Sequence, residues 1–325
     1  MTARRRFVVH APGKVMIAGE YAVLDGATAL VMAVDRWVRL APSDAPSVGL
    51  VASAREAAAR HLGVPLAGGG WTADSSALRN GVQKLGVGSS AAVTVAAVAS
   101  VYAEVGFDVE HDGRRLDMWG VARAAHDAHQ GEPGSGADIA AALFGGRLAM
   151  RPPQGGGFPV LDSWRPPQGV VTWFVWTGQE ARTPALVRAF REWRSREPAA
   201  WASLLGRMAA VCESLATAED AAAFVEGIHR YGALLAELGR AAGIDIVPES
   251  AARIVEAASS CGGAAKPSGA GGGDLVVAAF PPGADDRPFR DQVEAMGGRF
   301  VPLSVAARGV HLERGAKTDS LERGG

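Results

Sequence analysis

Residues Lys84 to Val101 read KLGVGSSAAVTVAAVASV: two glycines two positions apart, a serine pair, then an apolar run without interruption. Gly86 and Gly88 reach backbone angles closed to other residues and, lacking side chains, let a ligand come close to the peptide N–H groups. Ser89 and Ser90 then stand where a helix is capped, and Ala91, Ala92, Val93, Val95, Ala96, Ala97 and Val98 continue it as an apolar rod. The start of such a helix gathers unpaired N–H donors and the positive end of the macrodipole, which together make an anion site. Taken alone, the stretch is also a plain flexible turn with a serine cap, so the rest of the chain has to decide.

Around this stretch the bulk composition is that of a globular protein. The 325 residues suffice for a sizeable core, and the length favours two domains with one large domain still allowed. With 33 basic against 34 acidic residues there is no global field to recruit nucleic acid or an anionic membrane, so neither is expected as a partner. Two cysteines, Cys212 and Cys261, give neither a disulfide framework nor a metal-spaced cluster, which points to the cytoplasm. The start, MTARRRFVVHAPGK, has too short an apolar run for a signal peptide, and nothing approaches the length of an apolar membrane span. Lysine occurs only at Lys14, Lys84, Lys266 and Lys317. Three of these lie in or beside glycine-rich turns, which suggests sites needing a compact ammonium instead of a planar guanidinium.

Residues 6–42 read as antiparallel strands broken at Pro12-Gly13, Gly19 and Asp25-Gly26. A short helix lies in SAREAAARHLG, the capped helix starts near Ser89, and helical periodicity returns up to Gln130. Arg151 to Gly169, rich in proline and glycine, is the best candidate for a linker or domain boundary. Beyond it come a buried strand (VVTWFVWTG), three helical stretches over 184–197, 199–217 and 218–242, then SAARIVEAASSCGG, DLVVAAF, a helix near 289–296 and RFVPLSVAARGV as a closing layer. The tail from Glu313 is polar and expected to fray.

Three glycine-rich junctions stand out: APGKVMIAGEYAVLDG (11–26), the opening motif, and AKPSGAGGGDLVVAAF (265–280). In this order and separation they resemble the three motifs of the GHMP kinases, the superfamily of galactokinases, homoserine kinases, mevalonate kinases and phosphomevalonate kinases. The resemblance runs from about Phe7 to about Phe280. Within it the chain is most similar to the phosphomevalonate kinase branch: GEY at 19–21 where mevalonate kinases have GEH, a lysine and not a proline ahead of the glycine-serine loop, KPSGAGGGD at 266–274, and TGQEARTPALV from Thr177.

The resemblance implies an α+β, two-domain GHMP kinase fold, with a ribosomal-S5-domain-2-like N-terminal domain (1–165) that binds ATP and a ferredoxin-like C-terminal domain (166–325), the active site lying between them. It implies that Lys84, Gly86, Gly88, Ser89, Ser90 and Ala91 wrap the ATP phosphates in a cradle unrelated to the Walker loop, whose pattern is absent. It puts Lys14, aimed by a stiff Pro12-Gly13 turn, beside the γ-phosphate and the acceptor. Asp138, in GSGADIAAA, matches the S-G-x-D pattern whose aspartate takes the acceptor's proton, Lys14 keeping it ionised; it also reads as a helix N-cap. Glu20, Tyr21, Ser135, Gly136, Ser268, Gly269, Ala270 and Gly271 are expected around the acceptor.

Mg2+ is expected on the hydroxyl of Ser89 or Ser90 with a carboxylate. Mevalonate kinases use a glutamate upstream of the aspartate; in ARAAHDAHQGEPGSGAD (122–138) none is in register, which leaves Asp127 and Glu132, with Asp127 the candidate. His126 and His129 share a helix face without a third ligand, and are read as packing or surface residues and not a metal site. The expected activity is ATP-dependent phosphorylation of (R)-5-phosphomevalonate to its diphosphate, by a monomer or homodimer, with Lys84, Arg147 and Arg182 as candidates for the acceptor phosphate. Mevalonate kinase is the alternative, and a catalytically silent ligand sensor the further one; the latter would have no use for the Asp138 base.

Overall fold

The computed structural model describes residues 7–81, 83–153 and 157–314. Strands β1 (Phe7–Ala18) and β2 (Ala29–Ser43) pair antiparallel, as their alternating β-branched residues predict. Next come helix α1 (Gly49–Leu62), β3 (Gly70–Asp74), a small hairpin of β4 (Arg79–Asn80) and β5 (Gln83–Lys84), then α2 (Ser89–Glu104), α3 (Asp112–Gln130), α4 (Ala137–Phe144), β6 (Arg147–Arg151) and β7 (Val160–Ser163). The second half holds β8 (Val171–Trp176), α5 (Thr183–Arg196), α6 (Pro198–Ala216), α7 (Ala221–Ala242), α8 (Glu249–Ser260), β9 (Ala264–Pro267), β10 (Leu275–Phe280), α9 (Arg287–Ala295), β11 (Arg299–Phe300) and β12 (His311–Arg314).

The first sheet runs β12-β1-β2-β6-β7, with β3 on the far half of the long β2. Helix α2 lies against β1 and β2 and is enclosed by α1, α3 and α4. Its alanines and valines from Ala91 to Ala103 are buried on nearly every side, so the apolar rod is a core helix. The second sheet runs β11-β8-β10-β9, all antiparallel. In chain order that is fourth, first, third, second, the order of a ferredoxin-like layer.

Four expectations change. Pro12 and Gly13 make no turn: β1 runs straight through them, with a register shift against β2 between Pro12 and Gly13. The 151–169 run is not simply a linker, because Val160–Ser163 returns as β7 beside β6, and Trp164 is buried against Phe224 with ring centroids 6.3 Å apart; residues 154–156 lie outside the described residues. In RFVPLSVAARGV only Arg299 and Phe300 are strand. The chain then crosses to the first sheet, where Val305 bridges Val34 and the Ala306 N–H donates to the Ala33 carbonyl at 3.0 Å. Glu313 and Arg314 are therefore paired in β12 against Val8 and Phe7 and do not fray; the rest of the polar tail, with Lys317, lies outside the described residues. Among the described residues no helix is long and apolar enough to cross a membrane.

Candidate active site

Lys14 sits in mid-strand and is aimed by packing. Its N–H donates to the Val87 carbonyl at 2.8 Å, which ties β1 to the glycine-serine loop. Gly13 lets that loop approach: a Cβ there would lie 2.6 Å from the same carbonyl oxygen. The Lys14 stem runs along Gly88, and its Nζ lies 3.8 Å from where a Cβ on Gly269 would be, so the ammonium stands between the second and third motifs. Among the described residues it has no ion pair.

Gly88, not a serine, is the N-cap of α2; it is left-handed (φ 76°) and no side chain caps the helix. Ser89 and Ser90 are thus the first two helical residues, where N–H groups have no intrahelical partner. The Ser90 Oγ is buried and, among the described residues, without a partner. Gly86 meets a different neighbour: a Cβ there would fall 2.4 Å from the Asp274 Cβ. Asp274 is itself left-handed (φ 53°), held by its N–H to the Gln179 carbonyl (2.7 Å) and by its Oδ1, which accepts the Ala181 N–H at 3.1 Å. Burial pushes its carboxyl up, against the Ala181 N–H and the positive charges of Lys14 and Lys84. The exposed Lys84 is anchored through its N–H, which donates to Glu180 at 2.7 Å.

Asp138 lies in the first turn of α4, two residues past its cap, since the left-handed Gly136 (φ 77°) takes the N-cap position. Its Oδ1 accepts the Ile139 N–H at 2.9 Å and the side chain lines a cavity of about 150 Å3 together with Lys14. Asp127 has a protein partner on each carboxylate oxygen. Its Oδ1 accepts the Gly134 N–H at 2.7 Å, and its Oδ2 lies 3.7 Å from Nε of Arg123, whose guanidinium donates to the Gly134 carbonyl at 3.2 Å, so the pair holds the loop that leads to Asp138. Burial raises its carboxyl. Among the described residues no three His, Cys, Asp or Glu side chains come together.

The expected acceptor residues divide. Glu20, Tyr21, Ser135, Gly269 and Ala270 line the cavity. Tyr21, in a left-handed conformation (φ 61°), donates its hydroxyl to the Ala270 carbonyl at 2.6 Å, which fixes the third motif over the first. Three others are absorbed by the fold. Ser268 Oγ accepts the Met16 N–H and donates to the Met16 carbonyl, both at 3.0 Å. A Cβ on Gly271 would lie 2.1 Å from the Ile246 carbonyl oxygen, and one on Gly136 would lie 2.9 Å from the Trp119 ring. Those positions serve close packing. Of the residues offered for an acceptor phosphate, none of Lys84, Arg147 and Arg182 is among the cavity's lining.

Other residues come to the cavity unannounced by any motif. His126 is buried, lines it, and lies 2.9 Å from Gln130, while His129 is exposed. Helix α5 closes one side with Thr183, Pro184 and Val187, and is latched to the opposite wall by Arg191, which bonds Glu132 and the Pro133 carbonyl. Lys266, which opens the third motif and is one of the four lysines, is fully buried with its Nζ 2.5 Å from Glu20 Oε1. The arrangement supplies a helix N-terminus for an anion, a cation between two glycine loops, and a carboxylate across an enclosed space. That is the equipment of phosphoryl transfer.

Known proteins agree with this reading. Residues 49–146 match the family profile of the GHMP kinases N terminal domain, and residues 208–298 that of GHMP kinases C terminal. The chain is 31% identical to a phosphomevalonate kinase of Streptomyces sp. (strain CL190) over 95% of its own length and all of that protein. It is 29% identical to a mevalonate kinase of Aeropyrum pernix, over 95% of this chain and 99% of that one. Streptococcus pneumoniae phosphomevalonate kinase in complex with phosphomevalonate and AMPPNP superposes with a TM-score of 0.78 over 92% of this chain and 99% of that one; at 19% identity this speaks for the fold alone.

Proposed function

The chain belongs to the GHMP kinases, a family of phosphotransferases, and from that premise we propose that it transfers the γ-phosphoryl group of ATP to the phosphate of (R)-5-phosphomevalonate, giving ADP and the 5-diphosphate. The observation that carries the reading is Lys14: a cation free of ion pairs among the described residues, lying along Gly88 at the start of α2 and lining one cavity with Asp138.

The nucleotide phosphates lie at Gly88–Ala91, where the free N–H groups and the helix dipole take negative charge. Lys14 neutralises the charge on the moving phosphoryl group as it passes toward the cavity. The orphaned Ser90 hydroxyl suits Mg2+, which takes hard oxygen ligands and keeps several waters, so one hydroxyl with phosphate oxygens is enough. Bound there, Mg2+ would draw charge from the nucleotide oxygens. Asp138 takes the proton that remains on a singly protonated acceptor phosphate. The 1–165 and 166–325 division is kept as two functional halves, with the C-terminal strand β12 returning to the first. ATP and a phosphorylated small molecule are its partners, in the cytoplasm, as monomer or homodimer.

Mevalonate kinase is the second reading, favoured by one observation: among the described residues lining the cavity, Lys14 is the one Lys or Arg, and the nearby Arg191 is engaged by Glu132. A pocket built for a phosphate rejects an analogue lacking it by ~10⁴ or more, because its cations would stay desolvated and unpaired. Purified protein with MgATP should therefore release ADP with (R)-5-phosphomevalonate and little above background with mevalonate, galactose or homoserine. Robust turnover of mevalonate, with phosphomevalonate inert or inhibitory, would move the assignment to mevalonate kinase.

A further inference from the structure

Under the cavity lies a charge pair that the phosphoryl transfer described above does not use. Glu20 and Lys266 are 2% and 0% exposed, on opposite halves of the molecule, and meet at 2.5 Å. Glu20 Oε1 also accepts the Gly269 N–H at 3.3 Å, so it sits beside the residue that the Lys14 ammonium approaches. Glu20 Oε2 is buried and, among the described residues, has no partner. Lys14 and Glu20 line the same cavity, yet no ion pair joins them.

A bare carboxylate at that place, in a low-dielectric wall, would attract the Lys14 ammonium strongly. Paired with Lys266 it is neutral toward Lys14, because the repulsion between the two lysines offsets the attraction. We propose that Lys266 is a positioning residue: by occupying Glu20 it keeps Lys14 from being drawn off the transferring phosphoryl group. This rests on the reading of Lys14 as the cation at that group. It also accounts for a lysine where a smaller apolar residue would pack more cheaply, since replacing a buried ion pair by apolar residues is often neutral or stabilising.

The test is the pH dependence of Lys266→Met. Burial alone pushes the Glu20 carboxyl up, and loss of its ammonium partner pushes it further. At low pH Glu20 is then protonated and Lys14 stays free; at high pH it ionises and captures Lys14. Besides the two lysines, Glu20 is faced by Tyr21, by Tyr231 and Cys212 from α7 and α6, and across the cavity by His126, Glu132 and Asp138. All of these are present, and Lys266 absent, in both Lys266→Met and its double variant with Glu20→Gln, so comparing those two separates Glu20 from them.

Two quantities should be read from pH 5.5 to 9: kcat with MgATP and (R)-5-phosphomevalonate, or with mevalonate if that is the acceptor the wild type turns over, and AMPPNP affinity by calorimetry, which needs no acceptor. The expected ratio to wild type falls about tenfold or more at high pH, the worth of roughly one charge interaction, and recovers toward one at low pH. The double variant Lys266→Met/Glu20→Gln should show a ratio that does not vary with pH. If Lys266→Met does not fold, Lys266→Gln, which can bond Glu20 without a charge, carries the same expectation. A pH-independent ratio for the single variant, or the same pH dependence in the double variant, would overturn the proposal and leave Lys266 a purely structural residue. A wild type inactive on phosphomevalonate would instead count against the acceptor, without touching the affinity arm.

Discussion

The side chain of Lys14 lies against Gly88: a Cβ at position 88 would come within 3.0 Å of Lys14 Cγ and 3.4 Å of its Cε. The glycine-serine loop and the lysine are thus one packed unit. Gly88→Val should harm both functions, since the left-handed backbone excludes a branched residue and the new side chain pushes the lysine stem away. ATP affinity is expected to fall about tenfold or more and kcat with it, while the backbone strain costs on the order of 1–3 kcal/mol of stability. Calorimetry with AMPPNP checks the first; equal affinity in variant and wild type would make the loop a mere helix cap.

Lys14→Met keeps the length of the stem and removes the ammonium. With the packing on Gly88 retained, folding should be unchanged and kcat should drop by ~10²–10³, the usual loss for one preorganised electrostatic contributor. A variant that keeps more than about a tenth of wild-type kcat at saturating substrates would exclude an essential role for the charge.

Ser268→Ala tests the seam between the halves instead of the chemistry. The hydroxyl satisfies both backbone groups of Met16, and its loss leaves a buried N–H without its partner. Stability should fall by about 1–3 kcal/mol in denaturant titration. Acceptor KM should change little, because Ser268 faces β1 and not the cavity.

How far the sequence carried the fold can be seen at particular residues. The helix from Ser89, the Gln130 end of α3 and the three long helices after residue 183 were legible, since periodicity and glycine stops are local signals. The N-cap was misread as serine because a left-handed glycine and a serine cap look alike one residue apart. Pro12-Gly13 looked like a turn; that glycine is there for the Val87 carbonyl, a neighbour 74 positions away which no window reports. The motifs bring Lys14 and Asp138 to one cavity, whereas Ser268 and Gly271 are taken up by contacts with Met16 and Ile246. Lys266 stood out by its place in the third motif and by the rarity of lysine, but its partner, 246 residues distant, was not legible.

Asp127→Asn separates loop support from metal binding. Asparagine can still accept the Gly134 N–H through its Oδ1, so the loop before Asp138 should hold and half-maximal Mg2+ should stay unchanged. A clear rise in the Mg2+ requirement would restore Asp127 as a ligand. The pH dependence of stability gives an independent sign. Because burial raises this carboxyl in the folded chain, the unfolded chain gives up its proton more readily, and this group's contribution to stability declines as pH rises through the carboxylate range. Asp127→Asn lacks that decline, so its stability relative to wild type should increase from acid toward neutral pH.

Asp138→Asn distinguishes the two acceptors through the proton that the carboxylate has to take. A hydroxyl acceptor carries its proton throughout the working pH range, so a mevalonate kinase losing Asp138 should be impaired at every pH, typically by ~10²–10⁴. A phosphate monoester loses its second proton near pH ~6 and arrives above that pH with a negative oxygen already in place. For a phosphomevalonate kinase the loss should therefore be deepest near pH 5.5 and shrink steadily toward pH 8.5, where few acceptor molecules retain the proton. Replacement by asparagine preserves the acceptor for the Ile139 N–H and leaves α4 intact. Comparing kcat of variant and wild type across that range, with phosphomevalonate and with mevalonate, reads the acceptor's own ionisation. An equal loss at all pH values with phosphomevalonate would show that Asp138 serves by its charge or position and not as the base.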